Sequence, residues 1–202
     1  MQVADLCEEA LFAIGGNMLL ARTGAMYHDV GKLKNPLYFT ENQHGKYNLH
    51  NEMSYYESSQ IIINHVLDGI EICRKYHVPE QIIDFARTHH GTRRTEYFYQ
   101  MELKENPDMD INEADFRYHG PIPFSKETAV LMMADSVEAA SRSLADKTED
   151  SIGKLVDGII DAQVKDNQFI NTDLTFRDIA TIKKVFKKKL MNIYHVRIAY
   201  PV

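Results

Sequence analysis

Apolar residues recur along this chain at intervals of three and four, the period of a helix with one buried face, and no stretch shows the strict alternation of a half-buried strand. Ser54-x-x-Glu57 reads as a capping box ahead of a segment carrying Ile62, Val66, Gly69 and Cys73 on one face, with His65 beside that stripe. Asn17 can cap a helix that ends near His28-Asp29, and Pro79 suits the first turn of one ending near His89-His90. Ser125 opens a helix through the apolar run Ala129 to Ala134. Thr148 opens another that turns Ile152, Leu155, Val156, Ile159 and Ile160 inward, and Thr175-x-x-Asp178 opens the last. The pattern predicts an all-α fold. Residues 33 to 53 and 97 to 124 resist it, since prolines, glycines and polar side chains break any period there. Long irregular connections of this kind are often lids or binding loops, and either could close over a ligand.

Asp135 interrupts that run and is the only charged residue between Thr128 and Glu138. An unpaired carboxylate is costly to bury, and a cation is its simplest partner. His28, Asp29, His65, His89 and His90 also fall where a helical pattern can turn them inward. These side chains hold divalent metals while leaving positions open for water and substrate. A single histidine on an apolar face is more often a hydrogen-bonded core residue, but six such groups are hard to satisfy independently. His44, His50, His77, His119 and His195 lack that support and read as structural or surface residues.

His28 to Lys32 has the form H-D-x-G-K, in which a lysine three residues after the aspartate projects an ammonium toward any phosphate on a metal held there. The order His-Asp, His, His-His, Asp resembles that of HD-domain phosphohydrolases. The segments GGNMLLARTGAMYHDVGKLKNPLYFTENQ, YESSQIIINHV, IIDFARTHHGTRRTEYFY, FRYHGPIPFSKETAVLMMADSVEAASRS and NIYHVRIAYP narrow the likeness. They resemble the cytoplasmic HD domain of the bacterial seven-transmembrane HD proteins, the cyclic di-AMP phosphodiesterases, and the resemblance covers nearly the whole chain.

The resemblance implies an HD-domain helical bundle that hydrolyses cyclic di-AMP to linear pApA with a water activated by two divalent ions, iron or manganese. His28, Asp29 and Asp135 would serve one metal, and Asp29, His65, His89 and His90 the other. Asp29 is the natural bridge, because a carboxylate has two oxygens. Lys32 would stabilise the phosphate, and Arg93 or Arg94 would meet the second one. The resemblance also implies that residues 1–202 form a single HD domain, the cytoplasmic part of a bacterial plasma-membrane protein. The membrane portion and an upstream piece of the first helix, with one further histidine ligand, would lie outside the chain. The first metal would then have three protein ligands at most. Alternatives are an HD phosphohydrolase of another nucleotide and a nucleotide-binding HD module with little activity.

Composition narrows the partners. A chain of 202 residues with 44% hydrophobic content can bury a sizeable core. A formal charge of −6 argues against polymeric nucleic acid, whose binding relies on neutralising many phosphates, while a small dinucleotide remains allowed. Cys7 and Cys73 read as buried, reduced core residues. Ala10 to Leu20 is broken by Gly15-Gly16-Asn17 and far too short to span a bilayer, so no membrane contact is expected of this chain itself. Lysines 183, 184 and 187 to 189 read as the solvated face of the last helix. Homodimerisation is left open.

Overall fold

The apolar stripes fold as helices in the computed structural model, which describes residues 1–43 and 48–194. These are α1 (Gln2–Ile14), α2 (Met18–Tyr27), α3 (Tyr55–Lys75), α4 (Glu80–Thr88), α5 (Glu96–Glu105), α6 (Lys126–Arg142), α7 (Glu149–Lys165) and α8 (Phe176–Tyr194). Among the described residues no strand forms, and none of the helices is long and apolar enough to cross a membrane. His44 and His195 lie outside the described residues. The chain divides into two compact units, Met1–Arg22 with Phe124–Val202, and Thr23–Pro123.

In the first unit α1 packs on α6 and α8, and α7 lies against the same two helices. Covered by α1 and α7, α6 buries every residue from Ala129 to Ala134, as a helix apolar all round its surface must. The predicted starts are in place. Ser125 Oγ accepts from Thr128 N at 3.1 Å, Thr148 Oγ1 from Ser151 N at 3.2 Å, and Thr175 Oγ1 from Asp178 N at 3.1 Å. The lysines of α8 are less free than a solvated face suggests. Lys187 meets Asp157 of α7 at 2.6 Å, Lys183 meets Asp161 at 2.5 Å, and Lys189 pairs with Glu9 of α1.

In the second unit α3 is the hub, touching α4, α5 and the 3-10 turn Val30–Lys34. Its capping box is complete, and Ile63, Val66, Gly69 and Cys73 are buried beside His65, with Ile62 only partly covered. Gly31 explains how the turn after His28-Asp29 lies so close. A Cβ there would sit 1.8 Å from the His65 carbonyl oxygen and 2.5 Å from the Gly69 amide nitrogen. Two glycines let backbone pack on backbone. Residues 33 to 53 are a chain of short 3-10 turns where described, consistent with their broken pattern. Residues 97 to 124 differ from expectation, because α5 forms within them. It buries no residue fully and so has no apolar stripe to read. Edge-on aromatic contacts hold it instead, Tyr97 on Tyr55 at 6.5 Å and Tyr99 on Phe116 at 5.5 Å.

Candidate metal centre

His65 lies midway along α3, His89 ends α4 and His90 follows it, while His28 and Asp29 link α2 to the Val30–Lys34 turn. The Nδ1 atoms of His65 and His89 are bonded to carbonyl oxygens three residues back, those of Ile62 and Ala86, the second at 2.9 Å. A carbonyl can only accept. Each Nδ1 is therefore a donor, which leaves Nε2 as the atom each ring offers to the interior, a lone pair when the ring is neutral. The two Nε2 atoms stand 3.1 Å apart. Asp29 Oδ1 stands 3.4 Å from one and 3.5 Å from the other, buried and in no hydrogen bond. Three acceptors converge with no proton among them, an arrangement that repels itself unless a cation takes the lone pairs.

His90 extends the group. Its ring lies 4.0 Å from that of His89 and is stacked on Tyr118 at 4.2 Å. One ligand atom each of Asp29, His65, His89 and His90 falls within 4.8 Å of all the others, a set that could bind a metal ion. His28 repeats the orienting bond, its Nδ1 donating to Ala25 O at 2.9 Å, with Nε2 3.2 Å from Asp29 Oδ2. Burial pushes His89 below its ordinary range, and burial with the neighbouring imidazoles pushes His90 well below. Both rings stay neutral and able to ligate. Burial alone would raise Asp29, but the charge and hydrogen bonding of His28 hold it well below the usual carboxylate range.

Lys32 stands at the edge of this group, its Nζ 2.7 Å from Asp29 Oδ2, 2.6 Å from Glu41 Oε1 and 5.2 Å from the Phe39 ring. Burial would lower it, yet the two carboxylates keep the ammonium above its usual range. Arg94 is committed elsewhere, paired at 2.8 Å with both Glu96 and Glu113 and stacked 4.2 Å over Tyr99. Arg93 has no such side-chain tie, and its carbonyl receives Tyr118 N at 2.9 Å. Asp135 sits half-buried on α6, in the other unit. Sequence reasoning missed Glu41, Phe39 and Tyr118. All three lie in stretches without helical period, where no spacing ties a residue to its target.

Residues 1–140 match the family described as HD domain. The chain is 47% identical over 201 residues to Cyclic-di-AMP phosphodiesterase PgpH of Bacillus subtilis (strain 168). It is 44% identical over the same length to the protein of that name from Listeria monocytogenes serotype 1/2a (strain 10403S). Each match takes in 100% of this chain and 28% of the relative, so the chain spans little more than a quarter of the curated relatives it matches. The crystal structure of the L. monocytogenes phosphodiesterase PgpH HD domain in complex with cyclic-di-AMP is similar at a TM-score of 0.93 and 44% identity, over 99% of this chain and 92% of that one. A further crystal structure of the same HD domain gives 0.90 and 43%, over 96% and 91%. The chain belongs to the HD-domain family, alongside the HD domain of PgpH.

Proposed function

We propose that this chain is the catalytic domain of a phosphodiesterase that hydrolyses cyclic di-AMP to linear pApA with two divalent metal ions, iron or manganese. The observation that carries the reading is the convergence of the His65, His89 and Asp29 lone pairs beside an ammonium, a place built for a cation next to a phosphate. The names of the two relatives, and the nucleotide bound to the structural neighbour, supply the substrate. Asp29, His65, His89 and His90 would hold one ion. His28 and Asp29 would contribute to the other, and the part of Asp135 there rests on family resemblance.

Bound ions of this kind supply a nucleophilic water at neutral pH and neutralise charge on the phosphoryl oxygens. The chain's own groups do the rest. The carbonyls of Ile62 and Ala86 fix the tautomer and aim of the two imidazoles, so no reorganisation is needed when charge develops. Lys32, clamped between Asp29 and Glu41, offers its ammonium to a phosphoryl oxygen. Arg93, free of the ties that hold Arg94, would meet the second phosphate of a cyclic dinucleotide. The relatives extend well beyond this chain, and we read it as the cytoplasmic part of a membrane-anchored bacterial protein.

The test is to load the protein with manganese or ferrous iron and follow cyclic di-AMP, cyclic di-GMP and cyclic AMP by chromatography. Cyclic di-AMP should give pApA at least about tenfold faster than either alternative is cleaved. Equal or greater turnover of an alternative overturns the substrate. Failure to take up any metal overturns the centre itself.

A further inference from the structure

Lys32 has two carboxylate partners, and only one of them has another task. Its Nζ stands 2.7 Å from Asp29 Oδ2 and 2.6 Å from Glu41 Oε1. Asp29 Oδ2 also faces His28 Nε2 at 3.2 Å, while Oδ1 faces the His65 and His89 imidazoles, so this carboxylate belongs to the candidate metal centre. A carboxylate that serves a cation has less charge left for an ammonium. Glu41 stands in neither group of candidate ligands and keeps its charge for Lys32.

Glu41 sits in the 3-10 turn Thr40–Asn42, which is held on both sides. Before it, Phe39 is buried and lies edge-on to the His65 ring at 5.6 Å, with Lys32 Nζ 5.2 Å from the centre of the Phe39 ring. After it, Gln43 Nε2 donates to Leu37 O at 3.0 Å and to Asn48 Oδ1 at 3.3 Å, and the Gln43 amide donates to Thr40 O at 3.2 Å. The turn that carries the carboxylate is thereby fixed, whereas the lysine reaches it on four flexible methylenes.

Stability does not account for this pair. Its side chains are 21% and 35% exposed, and ion pairs open to water contribute little. A second anion beside a phosphate-binding ammonium also weakens its hold on phosphate. What Glu41 supplies is direction, because a lysine ammonium is a point charge whose place is set by whatever holds it.

We propose that Glu41 is a positioning residue, which holds the Lys32 ammonium where charge develops on the phosphoryl oxygens while Asp29 is engaged by the ions. The proposal rests on the reading of the chain as a metal-dependent phosphodiesterase. It adds that a residue outside the histidine and aspartate set acts on the transition state through Lys32. The penalty falls on the ground state and the gain on the transition state, so loss of the Glu41 charge should move the two in opposite directions.

Glu41→Gln keeps the shape of the side chain and removes its charge. In the manganese-loaded protein it should lower kcat for cyclic di-AMP about 10- to 100-fold, the effect of a misplaced group, with bound metal unchanged. Calorimetric titration with inorganic phosphate should show binding tightened about two- to fivefold, since one nearby negative charge is gone. Made in a Lys32→Met background, the same substitution should change kcat less than about twofold, because its effect passes through the ammonium. An unchanged kcat, an equal fall in both backgrounds, or a phosphate affinity that falls along with kcat overturns the proposal. If Glu41→Gln does not fold, Glu41→Asp draws the charge back by one methylene and is read alone: kcat should fall with phosphate affinity unchanged, and a wild-type kcat overturns the proposal. A wild type that takes up metal and phosphate but cleaves no cyclic di-AMP overturns the enzymatic reading instead. The phosphate titration then decides Glu41, since Glu41→Gln must tighten phosphate more with Lys32 present than in the Lys32→Met background.

Discussion

In the unit formed by α1, α6, α7 and α8, the interior is made by side chains that repel water, among them Leu6, Leu11, Leu131, Ile152, Ile160 and Phe186. Two of its buried polar groups, Glu138 and Ser141, find partners on the same helix. Glu138 takes both Arg142 bonds, at 2.8 and 2.6 Å, and the Ser141 hydroxyl donates to the Glu138 carbonyl at 2.7 Å. The unit built on α3, α4 and α5 buries His28, His65 and His89 as well as its apolar residues, and at its centre lone pairs face one another. One unit is complete when its apolar surface is covered. The other keeps a place for an ion and gives up stability to do so, so metal removal should separate them.

The largest effect should come from Asp29. Asp29→Ala should remove essentially all metal and all hydrolysis, while His65→Ala should chiefly weaken one site, with elemental analysis and product formation as the readouts. Chelation of the wild type should then raise amide hydrogen exchange in α3 and α4 far more than in α7, because His65 and His89 stand on or at the end of the former two and no candidate ligand stands on the latter. Full metal retention by Asp29→Ala would show that the constellation has been read wrongly. Equal loosening of the two units would remove the contrast between them.

A smaller effect follows from glycines. Gly31→Ala places a methyl 1.8 Å from the His65 carbonyl oxygen, part of the α3 backbone, so the turn carrying Lys32 must move. A loss of about 1–3 kcal/mol is expected, together with weakened metal binding. Gly158, on the exposed side of α7, has nothing within 4 Å of a Cβ. Gly158→Ala should therefore gain about 0.5–1 kcal/mol through helix propensity alone. Chemical denaturation of both variants reads the two signs directly.

The same contrast governs what the sequence made legible. Helices α7 and α8 announce themselves by period and cap, because burying a stripe demands both, and α6 does so by its cap and an unbroken apolar run. The candidate ligands stood out for another reason: His28-Asp29 with Gly31 and Lys32, and the His89-His90 pair, are chemically unusual and packed into short strings. Helix α5 was not legible, since aromatic edges and the Thr95 hydroxyl bonded to the Phe116 carbonyl at 3.0 Å hold it, and such contacts leave no period. Glu41 was missed for a related reason. Its partner Lys32 lies nine residues back across two 3-10 turns, a separation that no helix or strand rule connects.

The smallest expected effect asks whether the units differ at their helix starts as well. Glu57 closes the capping box of α3 and Asp178 that of α8, each accepting from the backbone amide and the hydroxyl of its cap residue, Ser54 and Thr175. Those bonds to the cap amide and hydroxyl hold both carboxyl groups below their ordinary range. A carboxylate lowered in the folded state stabilises the fold in full above its unfolded value, and that contribution is lost as pH falls through the folded one. Glu57→Gln and Asp178→Asn should each lower Tm slightly at pH 7, by less than the gain at Gly158, and the gap from wild type should close in acid. The two variants should behave alike, because the device is the same in both units and neither carboxylate touches the histidines. If Glu57→Gln instead costs far more than Asp178→Asn, or also releases metal, the start of α3 is coupled to His65, and the division between helix framework and metal centre is less sharp than the packing of the two units implies.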